Sequence, residues 1–118
     1  MAATGKLRVV NAQAFTGNGT TTAVSVNGKT DQFVAFLNVT AIGAGTSLVV
    51  TLQHSPDNSN WFTLCTFAAK TATGVEIIPQ GSFTSANSPV LPNVRASLAF
   101  TGGTTTATVS VELMHDVK

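Results

Sequence analysis

Residues 94–114, VRASLAFTGGTTTATVSVELM, decide how the rest of the chain is read. Ala107, Val109, Val111 and Leu113 alternate with Thr108, Ser110 and Glu112, the period-2 pattern of a strand with one apolar face. Just before them, Val94, Ala96, Leu98 and Phe100 alternate in the same way with Arg95, Ser97 and Thr101. Between the two runs, Gly102 and Gly103 can take the positive φ that a tight turn requires. The spacing predicts two antiparallel strands joined as a β-hairpin, and with them an all-β chain.

The same grammar extends upstream. KLRVVNAQAF (6–15), TTTAVSV (20–26), QFVAFLNVT (32–40), SLVVTLQHS (47–55), NWFTLCTFA (60–68) and GVEIIP (74–79) read as strands. TGNG, NGKTD, IGAG, PDNSN and KTATG separate them as turns. No window carries the 3.6-residue apolar spacing of a helix. About eight short strands at regular intervals predict a single antiparallel β-sandwich, jelly-roll-like, over residues 1–118. Residues 1–8 are a possible N-terminal arm. In residues 32–40, Phe33, Ala35, Leu37 and Val39 make one apolar face while Val34 and Phe36 add apolar groups to the other, so this strand is expected to be covered on both sides. Residues 79–92, with Pro79, Pro89 and Pro92, form the longest break and are expected to be a loop.

Composition narrows the function. Charged residues are 9% of the 118, against roughly 25% in an average domain. The polar surface must therefore be built from Thr, Ser, Asn and Gln, which suits a module that packs against other proteins. Lys6, Arg8, Lys29, Lys70, Arg95 and Lys118 are scattered singly and the formal net charge is +1, so no basic stripe exists to track nucleic acid. Cys65 stands alone, so no intrachain disulfide is expected. The opening residues contain neither a secretory apolar run nor a membrane span, and the chain is expected to be made in a cytoplasm with no Sec-type address.

Residues 52–64, LQHSPDNSNWFTL, hold the single Trp, one of the two His and one of the five acidic residues. His54, Ser55 and Asp57 invite a nucleophile reading, but Ser55 precedes Pro56 in a turn rather than standing on a strained elbow. His54 continues the inward series of Leu48, Val50 and Leu52 and is expected to bond backbone at a strand end. Zinc needs converging ligands, and His54, Asp57, Cys65, His115 and Asp116 show no paired spacing. The DNSN run lacks the Gly and late Glu of a calcium loop, so an Asx-stabilised turn is the better account. Asp31, Asp57, Glu76, Glu112 and Asp116 supply no carboxylate pair for glycoside hydrolysis. The threonine-rich tips lack the phosphate-cradling GxxxxGKS/T. One Trp, no Tyr and mostly core-patterned Phe make a poor sugar platform. The SPDNSNW turn departs from a sialidase-type Asp box in the place of its Trp and in having Ser59 for Gly, and it occurs once. Trp61 and Asp57 are read instead as structural anchors, Trp61 in the core beside Leu52, Leu64 and Phe67. No catalytic residue, cofactor or metal is expected.

VTLQHSPDNSNWFTL (50–64) followed by LPNVRASLAFTGGTTTATVSVEL (91–113) resembles a layout of small virion proteins of tailed bacteriophages. There a strand ending in an S-x-D-x-x-x-W turn precedes a loop, then P-x-x-R opens a strand, and a TGGT turn leads to a final alternating strand. The resemblance spans residues 48–113. It implies a non-enzymatic β-sandwich of the capsid decoration (cement) type, binding the outer surface of the major capsid protein lattice as a homotrimer and stabilising the head. It places the protein on the capsid exterior of the virion after synthesis in the host cytoplasm, with no nucleic-acid or membrane partner. Tail-tube, neck or fibre-associated sandwiches and carbohydrate-binding modules are the alternatives. Exposure and irregularity nominate Lys6, Arg8, Thr20, Phe83, Pro89, Pro92 and Thr104 as interface residues, on the arm (2–8), the loop (80–92) and the tips (16–21 and 102–105).

Overall fold

A computed structural model describes residues 3–26, 33–84 and 90–117. Among them are nine strands: β1 (Ala3–Phe15), β2 (Gly19–Thr20), β3 (Val24–Ser25), β4 (Val34–Ile42), β5 (Ser47–Ser55), β6 (Phe62–Thr66), β7 (Gly74–Pro79), β8 (Asn93–Thr101) and β9 (Ala107–Val117). A single 3-10 turn covers Gln80–Ser82. The strands form two antiparallel sheets, one in the order β1-β9-β4-β7 and one in the order β2-β8-β5-β6, with β3 also on β8. This is the antiparallel sandwich that the alternation predicts.

The pairing is nested. β1 pairs β9, β2 and β3 pair β8, β4 pairs β7, and β5 pairs β6. With β2 and β3 counted as one interrupted strand, the chain is a long antiparallel ribbon of eight positions, rolled so that its halves face each other across one core, the jelly-roll arrangement. Side-chain acceptors flank β2 on the β8 side. Asn18 Oδ1 accepts from Phe100 N–H at 2.7 Å and Thr21 Oγ1 from Ala96 N–H at 2.9 Å, so side chains stand in for strand backbone along β8.

The hairpin expected at residues 94–114 does not form. β8 and β9 belong to different sheets, and residues 102–106 carry the chain across the sandwich. The IGAG turn between β4 and β5 makes the same crossing beside it. Gly43 N–H donates to Thr106 O at 2.7 Å and Thr104 N–H to Ala44 O at 2.9 Å. A Cβ on Gly43 would lie 1.9 Å from Thr104 O. The glycines of TGGT thus permit two corners to touch rather than one strand to fold back on the next. The link that does join sequence-adjacent paired strands is PDNSN, between β5 and β6.

The expected N-terminal arm is also corrected. Residues 3–8 are the first part of β1, in register with β9 from Ala3↔Val117 to Arg8↔Glu112. The core is built as the alternation predicts: Ala35, Leu37 and Val39 on β4, Leu48, Val50 and Leu52 on β5, Val94, Ala96 and Leu98 on β8, and Val109, Val111 and Leu113 on β9 are all buried. Among the described residues, Phe67 is the largest side chain wholly withdrawn from solvent.

Candidate functional site

The residues of the 52–64 stretch do not assemble into a reactive centre. His54 points into the sandwich, where its Nδ1 accepts the Leu91 N–H at 3.1 Å, and burial lowers its pKa from 6.5. Ser55, next along the strand, bonds to the turn instead: its hydroxyl donates to Asp57 Oδ1 at 3.1 Å and accepts from Asn58 N–H at 2.9 Å. Neither group activates the other. Asp57 closes an Asx turn, its Oδ1 accepting from Ser59 N–H at 2.9 Å and Asn60 N–H at 2.8 Å, its Oδ2 from Asn60 Nδ2 at 2.7 Å. The two backbone donors lead the causes that hold its carboxyl well below the usual range. Asn58 takes the left-handed φ of 64° that the turn requires. Among the described residues no three His, Cys, Asp or Glu side chains come together as a metal site.

Trp61 is not the core anchor expected of it. It is half-buried at the head of β6, and the Arg95 guanidinium lies over its ring at 4.1 Å from the centroid. Arg95 Nε in turn donates to Gln53 Oε1 at 2.8 Å. Phe67, and not Trp61, is the large aromatic in the core, while Trp61 sits with Arg95 on the outer face of the five-stranded sheet. That face is hydroxyl-rich. Thr66, Thr51, Ser97 and Thr20 line up across β6, β5, β8 and β2 in one register row.

The outer face of the four-stranded sheet differs. Its rows follow from the strand registers: Pro79, Val34, Met114 and Lys6; then Ile77, Phe36, Glu112 and Arg8; then Val75, Asn38 and Ser110. At the β7 side the rows are apolar and open, with Val75 63% and Ile77 61% exposed and Phe36 and Val34 half-buried. At the β1 side they are charged, where Glu112 Oε2 lies 3.9 Å from Lys6 Nζ and 3.6 Å from Arg8 Nε. Two exposed cations share one shielded carboxylate, which leaves that margin positive.

Inward-facing Glu76 explains why Val75 and Ile77 point out. Its carboxylate pairs with Lys70 Nζ and accepts the Ala68 N–H at 3.0 Å, stitching the open side of the sandwich to the other sheet. Ile78 follows it inward. Alternation alone leaves the facing of VEII ambiguous, because apolar residues occupy both parities. The sequence signal that could have settled it is Lys70, six residues before Glu76 and across the sandwich.

The nominated interface residues fall on separate surfaces. Lys6 and Arg8 share the four-stranded face, Thr20 lies on the opposite sheet, and exposed Pro92 follows the long loop. Thr104 belongs to the corner where its backbone N–H is bonded to Ala44. There the tips at 16–21 and 102–105 do meet, through Thr105 Oγ1 donating to Thr16 O at 3.4 Å. An open, mainly apolar groove of about 290 Å³ lies close by, lined by Phe15, Ile42 and Ala107 among others. No titratable side chain lines it. Phe83 is corrected to a core residue, 5% exposed and held by its N–H on Gln80 O. Pro89 lies outside the described residues. Burial, aided by the Glu76 charge, pushes the Cys65 thiol up to about 12, so it is a packing group.

Searches against protein-family models, curated proteins and solved structures found no match for the chain.

Proposed function

We propose that the protein is a non-enzymatic structural protein of a tailed-phage virion, a capsid decoration protein that binds the outer surface of the major capsid protein lattice, associates with itself and stabilises the head. The observation that carries this reading is the asymmetry of the two outer faces. One carries a hydroxyl row, with exposed Phe62 only at its β6 edge; the other carries a contiguous apolar patch, Val75, Ile77, Phe36 and Val34, of the kind that marks a protein contact. The turn and alternation pattern of residues 48–113 supplies the class of partner. Jelly rolls serve capsids and lectins alike, so the fold by itself does not choose.

The mechanism is linkage. A module that binds the assembled lattice and not the separated subunits stabilises the shell by RT ln(1 + [L]/Kd) per site, about 2.7 kcal/mol at 100 times Kd. Burying Val75 and Ile77 contributes affinity without a like-charge penalty, and the Lys6/Arg8 margin favours an acidic rim on the shell.

Cosedimentation with expanded tailed-phage capsids tests this. The wild type is expected to bind saturably and the Val75→Lys/Ile77→Lys protein weakly. Absence of saturable wild-type binding would overturn the proposal.

A second reading rests on Trp61 and Arg95, which stand on the hydroxyl-rich face in the manner of a sugar subsite. Arg95 already covers one ring face, so a glycan must take the other. Titration of Trp61 fluorescence with glycans separates the readings: a saturable change favours carbohydrate binding, and an unchanged spectrum favours the shell.

A further inference from the structure

Among the described residues, three of the four Lys and Arg side chains already have a carboxylate: Lys6 and Arg8 share Glu112, and Lys70 is paired with Glu76. Arg95 has none among them, yet the fold holds it in place. Its Nε donates to Oε1 of Gln53, the residue directly across on β5, at 2.8 Å, and its guanidinium lies over the Trp61 ring at 4.1 Å. One bond and one stack fix the plane and direction of the fork, so the freedom of this long side chain is lost on folding rather than on binding. Nε and the ring leave over the two Nη amino groups, the geometry that takes a carboxylate in parallel hydrogen bonds. Asp57, in the turn that leads to Trp61, does not compete, because its carboxylate is engaged by Ser59 N–H, Asn60 N–H and Asn60 Nδ2.

We propose that Arg95 is the carboxylate-binding residue of a subsite for an acidic sugar, a hexuronate, on the outer face of the five-stranded sheet. The proposal rests on the carbohydrate reading of this face, and it names the class of sugar and the group that holds it. One side of Trp61 is covered by Arg95, so the ring supports the guanidinium, and charge rather than stacking selects the ligand. Ser97 is the next residue of β8 on the same face, about 6.6 Å along the strand, a separation on the scale of one pyranose ring. It belongs to the row Thr66, Thr51, Ser97 and Thr20, in which every hydroxyl can both donate and accept. A hexuronate presents the matching pair of features, a carboxylate on one side of the ring and hydroxyls beyond it.

Charge and polarity choose this occupant over other anions. Arg95 is the single cation on this face among the described residues, which suits the single charge of a carboxylate. A phosphate monoester, at about −1.5 to −2 near neutral pH, calls for a second cation. An acidic side chain of a protein partner calls for an apolar centre around the ion pair. The neighbours of Arg95 in the sheet are instead Gln53, Thr51, Thr63 and Ser97, with exposed Phe62 at the β6 edge. The subsite lies on the sheet opposite Val75 and Ile77, so a partner on that patch leaves it open.

The fluorescence of Trp61, the one tryptophan of the chain, reads ligand beside Arg95. The probes are trigalacturonate, its fully methyl-esterified form and sodium acetate, each added to the full chain at matched ionic strength. Trigalacturonate is expected to give a saturable change with a dissociation constant on the order of millimolar. The ester, which keeps the sugar and loses the charge, is expected to bind at least about tenfold more weakly, and acetate no better than the ester. Arg95→Lys, which keeps the charge and loses the fork, is expected to weaken trigalacturonate several-fold with the melting midpoint of the wild type. The acid and ester comparison uses the wild type alone and stands whether or not that variant folds. Equal binding of acid and ester would overturn the acidic-sugar assignment and leave the carbohydrate reading in place. No response to either would overturn both. Acetate binding as tightly as trigalacturonate would reduce the site to a carboxylate contact and also overturn the proposal.

Discussion

Gly103 and Gly45 lie back to back, so close that a Cβ on Gly103 would stand 2.3 Å from the carbonyl carbon of Gly45. The contact fastens the two corners at which the chain changes sheets. Gly103 also has φ of 56°, so a side chain there meets both a collision and a disfavoured backbone. Gly103→Ala is expected to cost about 2–4 kcal/mol, from overpacking and positive φ together. Gly19→Ala, with open space around it, is the control for the loss of glycine itself. Urea unfolding of the two variants reads the difference.

These corners show where local sequence stops informing. Strand runs, the inward faces of β4, β5, β8 and β9 and the jelly-roll class were legible because period 2 and burial are linked along those strands: the Ala107, Val109, Val111, Leu113 series is buried as its spacing predicts. Partnership was not. TGGT serves equally as a hairpin tip or as a sheet-to-sheet corner, since Gly102 and Gly103 supply positive φ to either. What decides is the nested pairing of β1 with β9, a relation between residues about a hundred apart. The first residues of β1 read as an arm for the same reason, because their partner lies at the other end of the chain.

Phe67 and Trp61 exchange the roles that residue type suggests. Phe67→Ala is expected to lose about 3–5 kcal/mol, the range for deleting a buried aromatic. Trp61→Ala, which gives up a half-buried ring and its Arg95 contact, is expected to lose about 1 kcal/mol. Equilibrium denaturation orders the two, and a larger loss at Trp61 would contradict the placement.

Stability is expected to depend on pH through His54. Burial lowers its folded pKa below 6.5, so above that value both states are neutral and the contribution is complete. As the pH falls below 6.5 the unfolded chain takes up the proton first, and stability declines toward the folded pKa. Protonation also removes the acceptor for Leu91 N–H. His54→Asn, which keeps an acceptor near that position and does not titrate, is expected to flatten the melting-temperature profile between neutral and mildly acidic pH.

Asp57 tests the turn at the tip of the rolled ribbon. Its lowered pKa means that the folded state favours the carboxylate, so its contribution is present above the unfolded value of 3.8 and is lost as the pH falls through the folded one. Asp57→Ala is expected to lower the melting temperature at neutral pH, and the difference from wild type is expected to shrink in strong acid. An undiminished difference there would assign the effect to something other than the carboxylate.

The candidate surface was the least legible part. Val75 and Ile77 look like core residues in a strand whose parity is ambiguous, and Lys6 and Arg8 look like an arm. Only the sheet register sets them on one face, with Phe36 and Glu112 between them. Phe83, chosen for lying in an irregular loop, is buried because the 3-10 turn after β7 directs it inward.

The central claim is that this sandwich decorates a phage shell. Electron cryomicroscopy of expanded tailed-phage capsids mixed with the purified protein measures it most directly. The account predicts added density at regular lattice positions on the outer surface, with the Val75–Ile77 face toward the shell and the threonine row outward. Capsids that carry no added density at any lattice position, at protein concentrations well above micromolar, would contradict it.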